Sequence, residues 1–217
     1  MRPEKLVMEN FGPYSGRVEL DFSKLQDIFL VTGKTGAGKT TIFDAICFAL
    51  YGKVPGSRGN HPGKLYSDHA AEGSMSFVSF EFSIGEASYD KSSDISGVNS
   101  SSRQKRYLVE RTPKQERKKK RGEGIIVLDE TLAVYEISAG AKTETHKIAL
   151  ASKKSEGDAK IKSLIGLDAE EFFKVVLLPQ GEFAEFLKQN TSDRQKVLGK
   201  LFPVDNAMRV KEIARKK

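Results

Sequence analysis

The sequence lacks several features that mark secreted, membrane-anchored and zinc-binding proteins. It has a single cysteine, Cys47, so no internal disulfide can form and a reducing compartment is expected. No apolar run is long enough to span a bilayer, and the N-terminus has no signal-peptide pattern. The three histidines are not spaced as metal ligands. These absences favour a cytoplasmic protein without a membrane anchor or a zinc centre.

The composition is otherwise that of an ordinary globular chain with excess positive charge. Its 217 residues are 38% hydrophobic and 30% charged, enough for one full core or one lobe of a larger one. The net charge of +7 favours an anionic partner such as nucleic acid. Much of the excess lies in the run Arg117–Arg121, and such runs are more often solvated loops than binding sites.

A phosphate-binding loop is the strongest signal in the sequence, because residues 33–40 fit the pattern G-x-x-x-x-G-K-[ST]. Its glycines allow backbone conformations in which successive N–H groups turn inward and form a nest for an anion. Lys39 supplies a positive charge for the β- and γ-phosphates, and the Thr40 hydroxyl can ligate Mg²⁺. The predicted nucleotide-binding residues are Gly33, Lys34, Thr35, Gly36, Ala37, Gly38, Lys39, Thr40 and Thr41.

The residues on either side of the loop have the pattern that a phosphate-binding loop requires. Ile28–Val31 is a short apolar run, which predicts a strand that is covered on both faces. Thr41–Leu50 predicts a helix whose positive dipole end is directed at the phosphates, and Gly52 is placed to cap its C-terminus. The predicted buried face of this helix consists of Phe43, Ile46, Cys47 and Leu50.

The rest of the chain divides into a β-rich part and a helical part. Consecutive strands without intervening helices predict an antiparallel subdomain over about residues 77–150, in which residues 112–124 are expected to form a protruding loop. Helices are predicted from Asp158 to Gly166 and from Asp168, which has Glu171 in the position of a capping box. The predicted strands are Leu6–Phe11, Val18–Phe22, Val78–Ile84, Arg106–Arg111, Ile125–Leu128 and Leu132–Ile137.

A second candidate motif for nucleotide chemistry is acidic and lies in the β-rich part of the chain. The segment Ile125–Glu130 resembles a Walker B strand, which ends in a Mg²⁺-organising aspartate and a catalytic glutamate. A parallel neighbour of the P-loop strand would need a helical crossover, and the next strand begins almost at once at Leu132, as in a hairpin. The topology therefore favours a strand that ends in an acidic turn. The alternative is a stand-alone small P-loop kinase or GTPase with Asp129 as its Mg²⁺ ligand. A third possibility is a binding module that uses ATP only as structural glue.

Four motifs together resemble the N-terminal part of SbcC, a family of SMC-like, ABC-type ATPases. The resemblance implies an α/β P-loop NTPase lobe of ABC/SMC type over residues 1–203, with an antiparallel β subdomain, followed by the base of a coiled coil at 204–217. The motifs are Met8-Glu9-Asn10-Phe11-Gly12-Pro13-Tyr14, Thr32–Thr41, Asp44–Gly52 and Leu177-Leu178-Pro179-Gln180-Gly181-Glu182-Phe183.

The same resemblance assigns roles to residues outside the phosphate loop. Gln180 would be the Q-loop glutamine, a Mg²⁺ partner that senses the γ-phosphate and acts in catalysis with Lys39. Asn10–Tyr14 would border the base or ribose. Walker B, the signature motif and the catalytic glutamate would lie in a C-terminal segment beyond the coiled coil. The helix at 204–217 stops without a cap, which is typical of a fragment of a longer protein.

The function implied by the resemblance is ATP-driven processing of double-stranded DNA ends and hairpins. ATP would be held between two heads, each completed by its own C-terminal half, and head closure would gate an SbcD-type nuclease. The Lys/Arg surplus would meet DNA phosphates without reading sequence. The candidates for these contacts are Arg103, Lys105, Arg106 and the 117–121 run.

Overall fold

A computed structural model describes residues 1–56, 65–71, 73–85, 104–118, 123–139, 145–177 and 190–191, without the side chains of 117, 118, 139 and 145. The chain divides into two compact units, Met1–Ile161 and Lys162–Lys217. The predicted boundary between residues 203 and 204 and the predicted helix at 204–217 lie outside the described residues. That boundary remains a prediction.

A six-stranded sheet forms most of the first unit. Its strand order is β2-β1-β3-β4-β7-β8, and every neighbouring pair is antiparallel. A separate two-stranded hairpin is formed by β5 and β6. The strands are β1 (Arg2–Phe11), β2 (Tyr14–Asp21), β3 (Phe77–Gly85), β4 (Gln104–Thr112), β5 (Gln115–Lys118), β6 (Ile125–Leu128), β7 (Thr131–Ala139) and β8 (Thr145–Ala151).

The antiparallel arrangement predicted from the sequence is confirmed, with three differences in detail. The expected protruding loop at 112–124 is wrong in part, because Gln115–Lys118 pairs with Ile125–Leu128. Strand β6 and the next strand β7 do not form a hairpin with each other, since β7 pairs with β4 and β8. Strand β8 was not predicted. Apolar and polar residues alternate only weakly in β8. It joins the sheet by pairing with β7.

Helix α1 (Lys39–Tyr51) packs against β1, β3 and β4 of the sheet. Its Ala45, Cys47, Ala49 and Leu50 have no exposed surface. The facing sheet residues alternate along their strands as period-2 patterning requires, and each fully buried large apolar side chain contributes about 1.5–3 kcal/mol. The sheet's contribution to this core includes Leu6, Met8, Val78, Phe80, Phe82, Val109 and Val134.

The C-terminal end of α1 is held by a buried arginine. Arg111 on β4 has no exposed surface; it donates from Nε to the Ala49 carbonyl at 3.0 Å and from Nη2 to the Leu50 carbonyl at 3.3 Å. These carbonyls are among the acceptors that a helix end leaves without partners. The remaining guanidinium hydrogens reach the carboxylates of Glu130 and Asp158. Gly52 ends the helix in the left-handed conformation, as predicted, with φ of 66°.

Two predictions about burial near α1 are wrong. Ile28–Val31 is not a strand covered on both faces: Ile28 is 91% exposed and Leu30 85%, and no strand of the described ranges pairs with them. An apolar run indicates that its side chains need to be buried. The strands in the described part of this chain do not bury Ile28 and Leu30. Phe43, predicted on the buried helix face, is 40% exposed because that side of α1 faces the same uncovered segment.

Helix α2 (Lys154–Ile165) begins in the first unit and ends in the second. In the first unit its Gly157 and Ile161 are buried. In the second unit, α3 (Ala169–Phe172) begins with the predicted capping box, in which the Glu171 N–H donates to Asp168 and the Asp168 N–H donates to Glu171, both at 3.0 Å. A π-helical turn, Phe173–Leu177, follows. No helix within the described ranges is both long and apolar enough to cross a membrane.

Candidate nucleotide-binding site

The phosphate loop is an exposed turn that leads directly into α1. The Ala37 N–H donates to the Lys34 carbonyl at 3.2 Å, and Gly36 and Gly38 have φ angles of 82° and 85°. Only glycine adopts this left-handed conformation at little cost. Gly38 is also the N-cap of α1 and offers no side chain to cap it. The first N–H groups of the helix are therefore available to an anion.

Lys39 bridges the two ends of this loop. Its Nζ donates to the carbonyls of Gly33 and Lys34, each at 2.8 Å. Both bonds are made at the exposed mouth of the loop, and the next residue, Thr40, is exposed as well. The ammonium group and the hydroxyl are thus at the surface beside the free end of α1, where a polyphosphate and its metal ion need them.

The turn between β1 and β2 packs against the beginning of α1. The Tyr14 hydroxyl donates to the Gly38 carbonyl at 3.2 Å. A Cβ on Gly12 would lie 2.7 Å from Cγ2 of Thr41, so this glycine permits a close approach of the turn to the helix. Burial raises the pKa of Tyr14 above its usual value, so the phenol keeps its proton and remains a donor at neutral pH.

Asn10 fixes the conformation of this turn. It is buried and has a φ of 50°, which is uncommon for a residue with a side chain. Its amide nitrogen donates to the Met75 carbonyl, and its amide oxygen accepts from the Gly16 N–H, both at 2.8 Å. The adjacent backbone is held as well, because the Ser67 N–H donates to the Asn10 carbonyl at 2.9 Å.

A cavity of about 480 Å³ borders the same turn. Phe11, Gly12 and Pro13 line it from the turn, and Thr41 and Asp44 line it from α1. The opposite wall includes Tyr66, Asp68 and His69. A partly apolar cleft of this size beside a phosphate loop suits the base and sugar of a nucleotide.

The acidic pair that resembles Walker B is at the wrong end of α1 to serve this site. Glu130 binds Arg111 beside the helix C-terminus, and Asp129 is 92% exposed with Lys114 4.0 Å away. The 13 residues of α1 separate this end from Lys39 and Thr40 by about 20 Å at 1.5 Å per residue. The first turn of α1 carries no acidic residue. The structure therefore agrees with an acidic turn and does not favour Asp129 as a Mg²⁺ ligand.

The structure describes the predicted residues Gly33 to Thr41, which form the loop and the first residues of α1. Gln180, Arg103 and residues 119–121 lie outside the described residues, as do the side chains of Arg117 and Lys118. Arg106 forms an ion pair with Glu81 at 3.2 Å. The roles of Lys39, Thr40 and Gln180 in binding and catalysis remain predictions.

The contacts of two residues were not predicted from the sequence. The resemblance placed Tyr14 beside the base or ribose, but its hydrogen bond to the Gly38 carbonyl had no sequence signal, because no pattern identifies a backbone acceptor. Arg111, at the far end of α1, had a signal: it follows Tyr107 and Val109 at two-residue spacing, which predicts that it lies on the buried face of its strand. A charged residue at such a position needs buried partners.

The donor set fits a nucleoside triphosphate with Mg²⁺. The loop and helix offer backbone N–H groups and one ammonium group for phosphate oxygens, and Thr40 offers the hard oxygen ligand that Mg²⁺ prefers. Together, the antiparallel sheet, the phosphate loop and the helix that follows it define a P-loop ATPase domain. The chain belongs to the AAA domain family, whose model matches residues 5–217.

The resemblance to SbcC is confirmed by curated relatives, each named as the SbcC component of the nuclease SbcCD. The chain is 38% identical over 204 residues to the relative from Vibrio cholerae, with 93% of the chain covered. It is 37% identical over 217 residues to that of Treponema pallidum, and 37% over 215 residues to that of Staphylococcus haemolyticus, which cover 100% and 98% of the chain. In each case the chain spans 18% of the length of the relative.

Proposed function

We propose that this chain is the ATP-binding lobe of an ATPase that processes DNA double-strand ends and hairpins together with a nuclease. The observation that carries the proposal is the separation of two features along α1. The phosphate loop is fully formed at one end, and the Asp129-Glu130 pair is at the other. A lobe of this kind binds a triphosphate but needs a catalytic carboxylate from another segment.

Within the proposed lobe, each residue of the loop has a distinct task. The N–H groups at the start of α1 and the Lys39 ammonium hold phosphate oxygens, and Thr40 orients Mg²⁺. Bound ATP supplies the phosphoanhydride bond whose hydrolysis would reset the complex. Gln180 is proposed as the second Mg²⁺ partner. The cavity beside Tyr66 and His69 is proposed as the site of the base and ribose.

The uncovered segment next to the loop is the proposed docking site for the C-terminal half of the same head. Residues 28–30 expose apolar side chains. Phe29 and Leu30 border a groove of about 440 Å³ that continues onto α1 at Ile42 and Phe43. A strand and helix from that half would bury these residues and form hydrogen bonds with their backbone, as a buried parallel strand requires. The short coverage of the relatives leaves room for such a segment.

The remaining partners follow from what the relatives are called and from the charge of the chain. The relatives are named as one component of the nuclease SbcCD, which supports an SbcD-type nuclease as partner. A second copy of the head is proposed to close over ATP, with ATP favouring the closed state by its higher affinity for it. The surplus of positive charge supports contacts with double-stranded DNA phosphates.

Equilibrium binding of ATP tests the assignment of the loop. Lys39→Ala is expected to weaken binding at least about tenfold, because a hydrogen bond to a charged group contributes about 1.5–3 kcal/mol. Lys53→Ala, an exposed lysine beyond the C-terminal end of α1, is the matched control and should bind as the unmodified chain does. Equal affinities in all three proteins would refute the assignment.

Co-purification tests the docking site. The double variant Ile28→Ser with Leu30→Ser is expected to retain less of a co-expressed C-terminal segment of the longer protein than the unmodified chain does. Ile148→Ser, on strand β8 and also exposed, is the control. Undiminished retention by the double variant would show that the segment docks elsewhere.

A further inference from the structure

The side chain of Tyr14 is turned toward the phosphate loop rather than toward the cavity. Tyr14 is the first residue of β2, directly after the turn. Phe11, Gly12 and Pro13 all line the cavity, whereas Tyr14 does not. Its hydroxyl instead donates to the carbonyl of Gly38 at 3.2 Å. The aromatic residue of this turn is therefore placed to act on the loop.

Gly38 is the point at which the loop becomes the helix. Its left-handed conformation, with φ of 85°, sets the direction in which the N–H groups of Lys39 and Thr40 leave the loop. A Cβ at Gly38 would lie 2.9 Å from Cγ of Pro13 and 2.9 Å from Cζ and the hydroxyl of Tyr14. The two side chains thus cover one face of this glycine and the hydroxyl holds its carbonyl.

Several hydrogen bonds hold the turn that carries Tyr14. Asn10 is held in an unusual conformation by hydrogen bonds to Met75 and Gly16, and the Gly12 N–H donates to the Leu65 carbonyl at 2.9 Å. A group whose own surroundings are fixed can fix another group, which is how preorganised sites lower the cost of binding.

We propose that Tyr14 is a positioning residue for the triphosphate: its hydroxyl holds Gly38 so that the N–H groups of Lys39 and Thr40 and the Lys39 side chain converge on the phosphates. The inference rests on the proposed ATP site. It differs from a contact with the base, because Tyr14 acts through the loop and its effect is independent of which base is bound.

The test compares a nucleotide with a base-free polyphosphate. The affinities of the 217-residue chain for Mg²⁺-ATP and for inorganic Mg²⁺-tripolyphosphate are measured by calorimetry, with Tyr14→Phe and with Tyr135→Phe as control. Tyr135 lies on β7 under Lys147 Nζ, 5.3 Å from its ring centroid. Thermal unfolding of each variant shows whether the fold is kept.

Tyr14→Phe removes one hydrogen bond and keeps the ring. It is expected to lower the affinity for both ligands by the same factor, about 2- to 10-fold, with the melting temperature nearly unchanged. Tyr135→Phe should change neither affinity. If the melting temperature of Tyr14→Phe is much lower, affinities are compared at a temperature at which this variant and the unmodified chain are both folded. The lower affinity for both ligands must persist there, or the inference fails.

The other outcomes distinguish failure of the role proposed for Tyr14 from failure of the proposed ATP site. A loss for ATP without a loss for tripolyphosphate would make Tyr14 a base contact and overturn the inference while leaving the ATP site intact. Unchanged affinity for both ligands would overturn it in the same way. Failure of the unmodified chain to bind either ligand would overturn the proposed function and, with it, this inference.

Discussion

Nη2 of Arg111 lies 2.7 Å from Oδ1 of Asp158, so a strand residue with no exposed surface is paired with a residue of helix α2. The same guanidinium binds Glu130 and the last carbonyls of α1. Lys154 adds a second cation, 3.2 Å from Asp158 and 3.8 Å from Glu130. Three elements therefore meet at one buried charge, at the end of α1 opposite to the phosphate loop.

Replacing Arg111 by Met should destabilise the first unit strongly. The substitution removes the donor to Glu130 and to two helix carbonyls and leaves Asp158 with Lys154 alone, and breaking such a buried pair costs about 3–5 kcal/mol. Urea unfolding measures the loss. Arg106→Met is the matched control, because Arg106 is on the same strand but forms an exposed pair with Glu81 worth no more than about 1 kcal/mol. Equal losses for the two variants would contradict the role assigned to Arg111.

Gly52→Ala should be costlier than the same change at a glycine in open space. Gly52 and Gly16 have φ angles of 66° and 75°, so at either site a left-handed alanine costs about 1 kcal/mol. Only at Gly52 would the new Cβ lie 2.6 Å from Nη1 of Arg111 and 2.7 Å from Oε1 of Glu130, which adds about 1–3 kcal/mol. The difference between the two variants in the free energy of unfolding, measured by chemical denaturation, isolates the cost of this contact. Similar losses would show that Arg111 and Glu130 shift at little cost to make room for the Cβ.

Gly157→Ala should destabilise the chain although it replaces a glycine within a helix. Such a change ordinarily stabilises a helix by about 0.5–1 kcal/mol. Here the added Cβ would lie 2.5 Å from Cδ2 of Leu132 on β7, and overpacking costs about 1–3 kcal/mol. The double variant with Leu132→Ala provides room, so it should be more stable than the sum of the two single losses predicts. Stabilisation by Gly157→Ala alone would disprove the close packing of α2 on β7.

Asp21 should give a small acid-dependent contribution to stability. The hydroxyl of Ser23 and the ammonium of Lys24 hold the pKa of Asp21 at about 2, below its usual 3.8. Because the folded state depresses this pKa, the stabilisation is complete above about pH 4 and is lost as the pH falls toward 2. Unfolding of Asp21→Asn and the unmodified chain should differ at about pH 6 and converge near pH 2. A difference in the free energy of unfolding that stays constant over this pH range would show that the lowered pKa of Asp21 does not stabilise the fold.

Local chemistry allowed much of this structure to be predicted. The phosphate-loop pattern, the Gly52 cap, the Asp168 capping box and the first two predicted strands depend on residues close together in sequence, and all of them are found. The features that were missed lack a local pattern or depend on distant partners. Strand β5 looked like a solvated basic loop because all four of its residues are polar or charged, although its partner Ile125–Leu128 is the next strand of the same hairpin. The exposure of Ile28–Val31 was missed because a pattern shows a need for burial, not which segment meets it.

The rate of ATP hydrolysis, measured with and without the C-terminal segment of the longer protein, tests the central claim most directly. The account predicts that this chain binds ATP but does not turn it over alone, with or without Asp129→Asn. It predicts that hydrolysis appears when the C-terminal segment is added and disappears again with Lys39→Ala. Turnover by the isolated chain that Asp129→Asn abolishes would contradict the account, because the catalytic carboxylate would then belong to this chain.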